Sequence, residues 1–214
     1  LADLIARMDP PDAAYTGEIV RPLIETIHIA VLGTALAVII SVPVAMLGAE
    51  NTTQNRITYG IGKFIISASR SVNVIIWALI FVIILGPGAL AGVLAVGVRS
   101  IGFTSKLIAE AIEEIDQGQV EAVRATGASS LEAAIYGIVP QVKPAFIGVS
   151  TYRWDINVRA STIIGFVGAG GIGVNLSTSI NFFAWQRVLV ILLAILGVVI
   201  FSEFTSAYLR RKVR

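Results

Sequence analysis

The sequence predicts an all-α, polytopic membrane protein with about five transmembrane helices. Of its 214 residues, 56% are hydrophobic and only 14% are charged, whereas charged residues make up about a quarter of a soluble domain. The mean hydropathy is +0.83. The apolar runs are continuous, and runs of about 20 apolar residues form helices that cross a bilayer, whereas barrel strands alternate apolar and polar residues.

The first apolar run covers residues 23–47 and predicts the first span. Residues 1–22 form a polar lead that we expect on the extracytoplasmic side, before a transmembrane domain of residues 23–214. The lead lacks the apolar centre of a signal peptide. Because the sequence begins with Leu rather than Met, we expect the native N-terminus to lie before Leu1. Further spans are predicted at residues 72–85, after an amphipathic approach helix at 57–69, and at 89–108, 144–166 and 184–208.

Turn signals and charge indicate how the spans are connected. The tripeptide Gly86-Pro87-Gly88 predicts a tight turn, so the third span returns directly from the second. Lysine and arginine concentrate on one side, which the positive-inside rule assigns to the cytoplasm together with the C-terminus and the polar segment 116–140. The inner residues are Arg56, Lys63, Arg70, Lys106, Arg124, Lys143 and the C-terminal Arg210, Arg211, Lys212 and Arg214, and the outer ones are Arg7, Arg21 and Arg187.

The polar segment 116–140 is predicted to form two short helices. Gly127 can supply the left-handed residue that ends the first helix, and Ser129 with Glu132 has the spacing of a capping box at the start of the second. We expect Pro140 to end the second helix. Such a unit could dock a partner through its apolar face, or it could pack on its own membrane domain, and its composition leaves both open. The apolar face is predicted to contain Leu131, Ile135 and Ile138.

The residues 121–127, Glu-Ala-Val-Arg-Ala-Thr-Gly, followed by Pro140, resemble the cytoplasmic EAA loop of ABC importer permeases. Val123 stands where the family pattern has a second alanine, a difference of two methyl groups. In that family the loop docks onto a separate ATPase subunit. The resemblance therefore implies ATPase-coupling roles for Glu121, Ala122, Arg124, Gly127 and Pro140.

Polar side chains lie within the predicted fourth span, and a charge at the bilayer centre costs about 2.5–3.5 kcal/mol on insertion scales. Asp155 and Arg159 are spaced i, i+4 and can pair on a helix. A buried ion pair that joins spans or subunits is one interpretation. The other is a translocation pathway for an anion, because one arginine stays unpaired and a guanidinium group engages two oxygens at once. Arg99 in the third span fits either role, and the candidate pathway comprises Arg99, Arg153, Asp155, Asn157 and Arg159.

The run Tyr-Arg-Trp-Asp-Ile-Asn-Val-Arg at residues 152–159, with the glycine-rich residues that follow, resembles phosphonate-type (PhnE-like) permeases. The resemblance implies a MetI-like type I ABC importer permease fold. It also implies uptake of phosphonate, phosphite or phosphate by alternating access across the bacterial plasma membrane. Implied partners are a second permease copy in a homodimer, two ABC ATPase subunits that bind ATP and Mg, and an extracytoplasmic substrate-binding protein.

The glycine-rich segment 168–173 formally satisfies G-x-G-x-x-G. A dinucleotide site needs a strand before this pattern, and a membrane helix precedes it here, so a dinucleotide site is excluded. We expect a tight outer loop or gate, with anion binding by free amides as the alternative. Its glycines are Gly168, Gly170, Gly171 and Gly173.

The sequence disfavours several other functions. A phosphate-binding GxxxxGK[ST] motif is absent, so ATP hydrolysis is expected on a partner subunit and not in this chain. With no cysteine and no metal-ligand spacing, no metal or cofactor is expected in the chain. A membrane enzyme acting on lipid phosphates lacks an acid–base constellation. An ABC permease for another small solute, such as an amino acid, or an ATP-independent channel or secondary transporter remains an alternative.

Overall fold

The computed structural model describes residues 7–53 and 55–213, and the secondary structure within these ranges is helical. Residues 1–6 of the expected lead and Arg214 lie outside the described residues. Two short 3-10 turns, Ala13–Tyr15 and Gly165–Val167, extend the helices. The helices are α1 (Thr16–Gly48), α2 (Arg56–Ser71), α3 (Val74–Leu85), α4 (Ala89–Glu113), α5 (Gln117–Ala125), α6 (Ser130–Ala133), α7 (Val139–Ile164), α8 (Ile172–Asn181) and α9 (Trp185–Val213).

Five membrane crossings are compatible with these helices. Within the described ranges, three helices (α1, α4 and α9) are long and apolar enough to cross a membrane unaided. Two further crossings are bent pairs, α2 with α3 at 90° and the α6–α7 segment with α8 at 44°. The predicted all-α class is therefore confirmed, and the expected number of about five spans fits the structure.

The first helix is longer than the apolar run that predicted it. It begins at Thr16 rather than near residue 23. Glu18 lies in its first turn, where a carboxylate is favoured by the helix dipole. Tyr15 and Ile19 are buried against Ile172 and Leu176 of α8, so apolar packing stabilises two polar turns that hydropathy alone places in the lead.

The centre of the fold is the parallel pair α1 and α4, which pack along most of their lengths. Small residues allow the close approach, as they do between many membrane helices. A Cβ atom added at Gly33 would lie 2.9 Å from Val96 Cγ1, and one at Gly97 would lie 2.8 Å from Leu36 Cδ2. This pair forms the frame against which α2, α3 and α7 pack.

The helix α2 reaches further into the fold than an approach helix on the inner surface would. Ser69 near its end donates a hydrogen bond to the carbonyl of Val98 and accepts one from the Gly102 N–H at 3.1 Å. Both partners are in the middle of α4. Arg70, which we expected on or near the inner side, is consequently beside the middle of α4.

The polar segment has the predicted start but not the predicted end. Gly127 has a φ of +86°, and Ser129 and Glu132 form the capping box, as expected. Pro140 does not end the second helix. A π-helical turn (Ala134–Ile138) joins α6 directly to α7, and Pro140 lies in the first turn of α7, where its missing N–H is tolerated.

Candidate functional site

The polar residues of α7 face two different neighbours. Arg153, Asp155 and Asn157 are buried, with 5%, 5% and 1% of their surfaces exposed, whereas Arg159 is exposed. Because residues four apart share a face of a helix, Arg153 and Asn157 point one way and Asp155 and Arg159 another. The predicted pathway residues therefore belong to two separate networks.

The first network joins α7 to α4 and α1 through neutral partners. Arg153 Nε donates to Ser100 Oγ at 3.0 Å, and Ser100 Oγ donates to Asn157 Oδ1 at 3.0 Å. Asn157 Nδ2 donates to Thr34 Oγ1 of α1 at 2.9 Å. These contacts satisfy buried polar atoms without neutralising the charge of Arg153.

The second network joins α7 to α9. Asp155 and Arg159 form the i, i+4 ion pair that their spacing predicted. The other carboxylate oxygen of Asp155 accepts a hydrogen bond from Ser202 Oγ at 2.8 Å. The ion pair lies within α7, and the hydrogen bond from Ser202 is what joins Asp155 to α9. A role of Asp155 or Arg159 in translocation stays a prediction.

Three arginines surround one aromatic ring. The guanidinium carbons of Arg70, Arg99 and Arg153 lie 4.8, 5.0 and 4.7 Å from the centroid of Phe103. The Nε atoms of Arg70 and Arg99 are buried and have no hydrogen-bond partner. Among the residues that the structure describes, none of the three forms an ion pair with a carboxylate. We call Arg70, Arg99 and Arg153 around Phe103 the arginine cluster.

The electrostatics of the arginine cluster favour an added anion. Any two guanidinium carbons are at most about 10 Å apart, since both lie within 5.0 Å of one centroid. At that distance each of the three pairs of like charges repels by about 1.7 kcal/mol with an effective dielectric constant near 20, and by more at shorter separations. Each cation–π contact contributes about 0.5–2 kcal/mol. The ring thus offsets part of the repulsion, and the net positive charge remains available to an oxyanion.

Sequence reasoning placed Arg99 and Arg153 in the candidate pathway but missed Arg70 and Phe103. The i, i+4 spacing of Arg99 and Phe103 on one membrane helix was an available signal, since such residues are neighbours. Arg70 had no comparable signal, because its position depends on the 90° bend between α2 and α3. Arg99 does not pair with a carboxylate across helices in the described structure.

The glycine-rich segment is a tight, buried turn packed against α1. Gly168, Gly170 and Gly171 have φ values of +83°, +81° and +74°. A Cβ atom at Gly173 would lie 2.2 Å from the carbonyl oxygen of Thr162, so a residue with a side chain does not fit at this position. The tight loop fits the prediction, and its function as a gate stays a prediction.

Two backbone amides of this turn have partners on α1. The Gly171 N–H donates to Glu25 Oε1 at 3.2 Å, and the Ile172 N–H donates to Thr26 Oγ1 at 2.8 Å. Thr26 is completely buried. These amides are therefore already occupied, and the alternative of anion binding by free amides gains no support at these two positions.

The residues that match the EAA pattern are on the outside of the fold, and the surface beside them has an apolar component. Of the predicted apolar face, Leu131 and Ile135 are 70% and 46% exposed. Ile138 instead packs against the apolar core of α1, α4 and α7, so only part of the face is left for a partner. A groove of about 390 Å³ runs beside Gly127 and Tyr136. Hydrogen bonds from the Ser129 hydroxyl and N–H lower the pKa of Glu132 below its usual value. The exposed matching residues are Glu121, Ala122, Arg124, Gly127 and Pro140.

The fold resembles that of a solved transporter. The methionine ABC transporter MetNI in an inward-facing conformation superposes with a TM-score of 0.81 over 95% of this chain and 99% of that chain, at 22% identity. At this identity the likeness concerns the fold alone. The expected MetI-like fold is confirmed.

Two curated relatives are similar over nearly the whole chain. The phosphite transport system permease protein PtxC of Stutzerimonas stutzeri is 43% identical over 99% of this chain and 77% of its own length. The phosphate-import permease protein PhnE of Mycolicibacterium smegmatis is 41% identical over 97% of this chain and 39% of its own length. The resemblance to PhnE-like permeases is thus confirmed. Residues 24–214 also match the model of a transport family, and the chain belongs to that family, the binding-protein-dependent transport system inner membrane components.

Proposed function

We propose that this chain is the membrane subunit of an ATP-driven importer that carries a phosphorus oxyanion such as phosphite, phosphate or a phosphonate. The family assignment and the named relatives support this class of cargo. The observation that carries it is the arginine cluster, whose three cations have no carboxylate partner among the described residues. Guanidinium groups match the paired oxygens of such anions.

An amino-acid cargo is the second candidate, because D-methionine permeases are more distant relatives at 29% identity. A zwitterion needs a carboxylate for its ammonium group as well as a cation for its carboxylate. Among the described residues the one buried carboxylate is Asp155, two positions from Arg153 on α7, and it is already occupied by Arg159 and Ser202. The local chemistry therefore favours an anion over a zwitterion.

The importer would contain a second copy of this chain, two ABC ATPase subunits and an extracytoplasmic substrate-binding protein. ATP and Mg would bind to the ATPase subunits, and this chain would hold no cofactor. The segment 116–140 and the C-terminus would be in the bacterial cytoplasm, as the distribution of lysine and arginine indicates. The ATPase would contact the exposed residues Glu121, Ala122, Arg124, Gly127 and Pro140.

Coupling between ATP hydrolysis and transport would use the continuous helical path from α6 to α7. The π-helical turn connects the two helices directly, with no flexible loop between them. A displacement of α6 by the ATPase would therefore also move Arg153 and Asn157 on α7. The hydrogen bonds of these residues to Ser100 and Thr34 would then break and be replaced by others as the helices move. Alternating exposure of the arginine cluster to the two sides would result.

The test is uptake by the assembled complex in liposomes. The permease is reconstituted with its cognate ATPase and binding protein, and ATP-dependent uptake of phosphite, phosphate, methylphosphonate and methionine is measured. We expect uptake of at least one phosphorus oxyanion and none of methionine. Uptake of methionine alone would overturn the cargo proposal, and uptake by vesicles that contain only this chain, without ATP, would overturn the ATP-driven mechanism.

A further inference from the structure

We propose that the arginine cluster is a transient binding station for a doubly charged tetrahedral oxyanion within the membrane domain, and that Phe103 holds the three guanidinium groups together while the station is empty. This inference rests on the proposed function and adds a site within the membrane domain where the transported anion binds transiently. It also assigns Arg70 as a binding residue and Phe103 as a positioning residue, neither of which the sequence analysis named.

The first argument is the unmet bonding capacity of the cluster. An arginine carries five N–H donors, yet Arg70 and Arg99 each have a buried Nε without an acceptor. Arg153 directs its Nε to the neutral Ser100. Buried donors normally have partners. An oxyanion would supply several acceptor oxygens and negative charge to donors that the described chain leaves unused.

The second argument is the identity of the central residue. A carboxylate in place of Phe103 would neutralise the arginines and would compete with the cargo. The aromatic face attracts cations without carrying a net charge, so it keeps the guanidinium groups close and leaves them positive. Arg187 provides the contrast within the same chain, since it lies 4.8 Å from the ring of Tyr15 but also pairs with Asp12 at 3.3 Å.

The third argument is that the three arginines come from different elements. Arg70 ends α2 next to its sharp bend, Arg99 is in the middle of α4, and Arg153 is on α7. A small displacement of α7 relative to α4 would reduce the number of arginines that can reach one anion. The affinity of the station would then fall when the helices move, which releases the cargo.

The first test compares variants in the reconstituted complex, with inorganic phosphate and phosphite as probes. Arg70→Gln and Arg99→Gln should each lower uptake about tenfold or more, as expected for a lost charge-assisted hydrogen bond. Affinity of the separate binding protein for these probes should not change. Arg187→Gln is the matched control, because it removes an arginine that also contacts an aromatic ring, and it should keep wild-type uptake.

The role of Phe103 has its own pair of variants. Phe103→Tyr keeps an aromatic face and should keep most of the uptake, whereas Phe103→Leu should lower it severalfold although it is also apolar. Equal uptake by the two variants would overturn the role of the ring. Assembly with the ATPase, measured by size-exclusion chromatography, identifies variants that fail to fold.

The second test uses the wild-type complex and therefore does not depend on the folding of any variant. Phenylglyoxal labelling of individual arginines is mapped by mass spectrometry with and without inorganic phosphate. Phosphate should slow labelling of Arg70 and Arg99 but not of Arg187. If the wild-type complex moves no phosphorus oxyanion, the proposed function fails. If it does move one, while Arg70→Gln and Arg99→Gln match wild type and labelling is unprotected, the station alone is overturned.

Discussion

Arg153 donates its Nε–H to Ser100 Oγ at 3.0 Å, which joins α7 to α4 beside the arginine cluster. Ser100 is completely buried, and its own hydroxyl donates a hydrogen bond to Asn157 Oδ1. A single hydroxyl thus serves an arginine as acceptor and an amide as donor. Its small size allows both partners to approach α4 closely.

Ser100→Ala should destabilise the protein more than most serine substitutions. It leaves a buried donor on Arg153 and a buried acceptor on Asn157 without this partner, at a cost of about 1–3 kcal/mol for an unsatisfied buried group. Thermal unfolding in detergent measures the effect. Thr178→Ala is the control, because its exposed hydroxyl bonds only within its own helix, and equal melting temperatures of the two variants would contradict the prediction.

The ion pair between Asp155 and Arg159 should affect stability rather than cargo selection. Arg159→Gln leaves Asp155 buried without its cation, and the loss should be about 1–2 kcal/mol because the arginine itself is half exposed. Asp155→Asn together with Arg159→Gln should be less damaging than the sum of the single changes. Unfolding midpoints of the four proteins give the coupling. A changed preference among phosphite, phosphate and methylphosphonate would instead place the pair in the pathway.

Gly127 should be required for docking of the ATPase through its backbone conformation. A Cβ atom at this position would meet nothing within 4 Å, so the φ of +86° is the relevant constraint. Gly127→Ala should cost about 1–2 kcal/mol of local stability, and Gly127→Pro should weaken ATPase binding more strongly because proline fixes a negative φ. Co-purification of the ATPase measures this. Gly17→Ala is the control, as Gly17 is also open but has no positive φ.

The capping box of Ser129 and Glu132 should stop stabilising the start of α6 in acid. Ser129 lowers the pKa of Glu132 in the folded chain, so the contribution is complete above the ordinary pKa of a glutamate and is lost as the pH falls through the lowered value. ATPase co-purification should therefore be stronger for wild type than for Glu132→Gln at neutral pH. The difference between the two should shrink in acid. A difference that is independent of pH would argue against this origin.

The sequence was most informative where one segment determines its own structure. Apolar run length predicted the spans, and local capping signals predicted the turn at Gly127, because both depend on neighbouring residues. The predicted helix end at Pro140 was wrong because a π-helical turn joins α6 to α7, and the helix continues through the proline. The cluster around Phe103 needed contacts among α2, α4 and α7, and the position of Arg70 depends on a bend that hydropathy does not indicate.

The glycine turn provides the last prediction, which concerns its attachment to α1. Thr26 Oγ1 accepts from the first N–H of α8, a group that the helix itself cannot satisfy. Thr26→Val keeps the shape but removes this acceptor, so hydrogen exchange in residues 168–181 should accelerate. Thr178→Val, on an exposed face of α8, should leave exchange at the start of the helix unchanged.

Uptake by the same Thr26→Val variant distinguishes a static turn from a gate. If the turn stays attached throughout the cycle, the variant loses stability and keeps its uptake per folded complex. A gate must break the bond from Ile172 to Thr26 in every cycle, so weakening this bond would change the balance of the two states. Basal ATP hydrolysis without the binding protein should then rise, because the variant already lacks a hydrogen bond that opening has to break and the free energy of opening is lower. Unchanged basal hydrolysis together with unchanged uptake would contradict the gate.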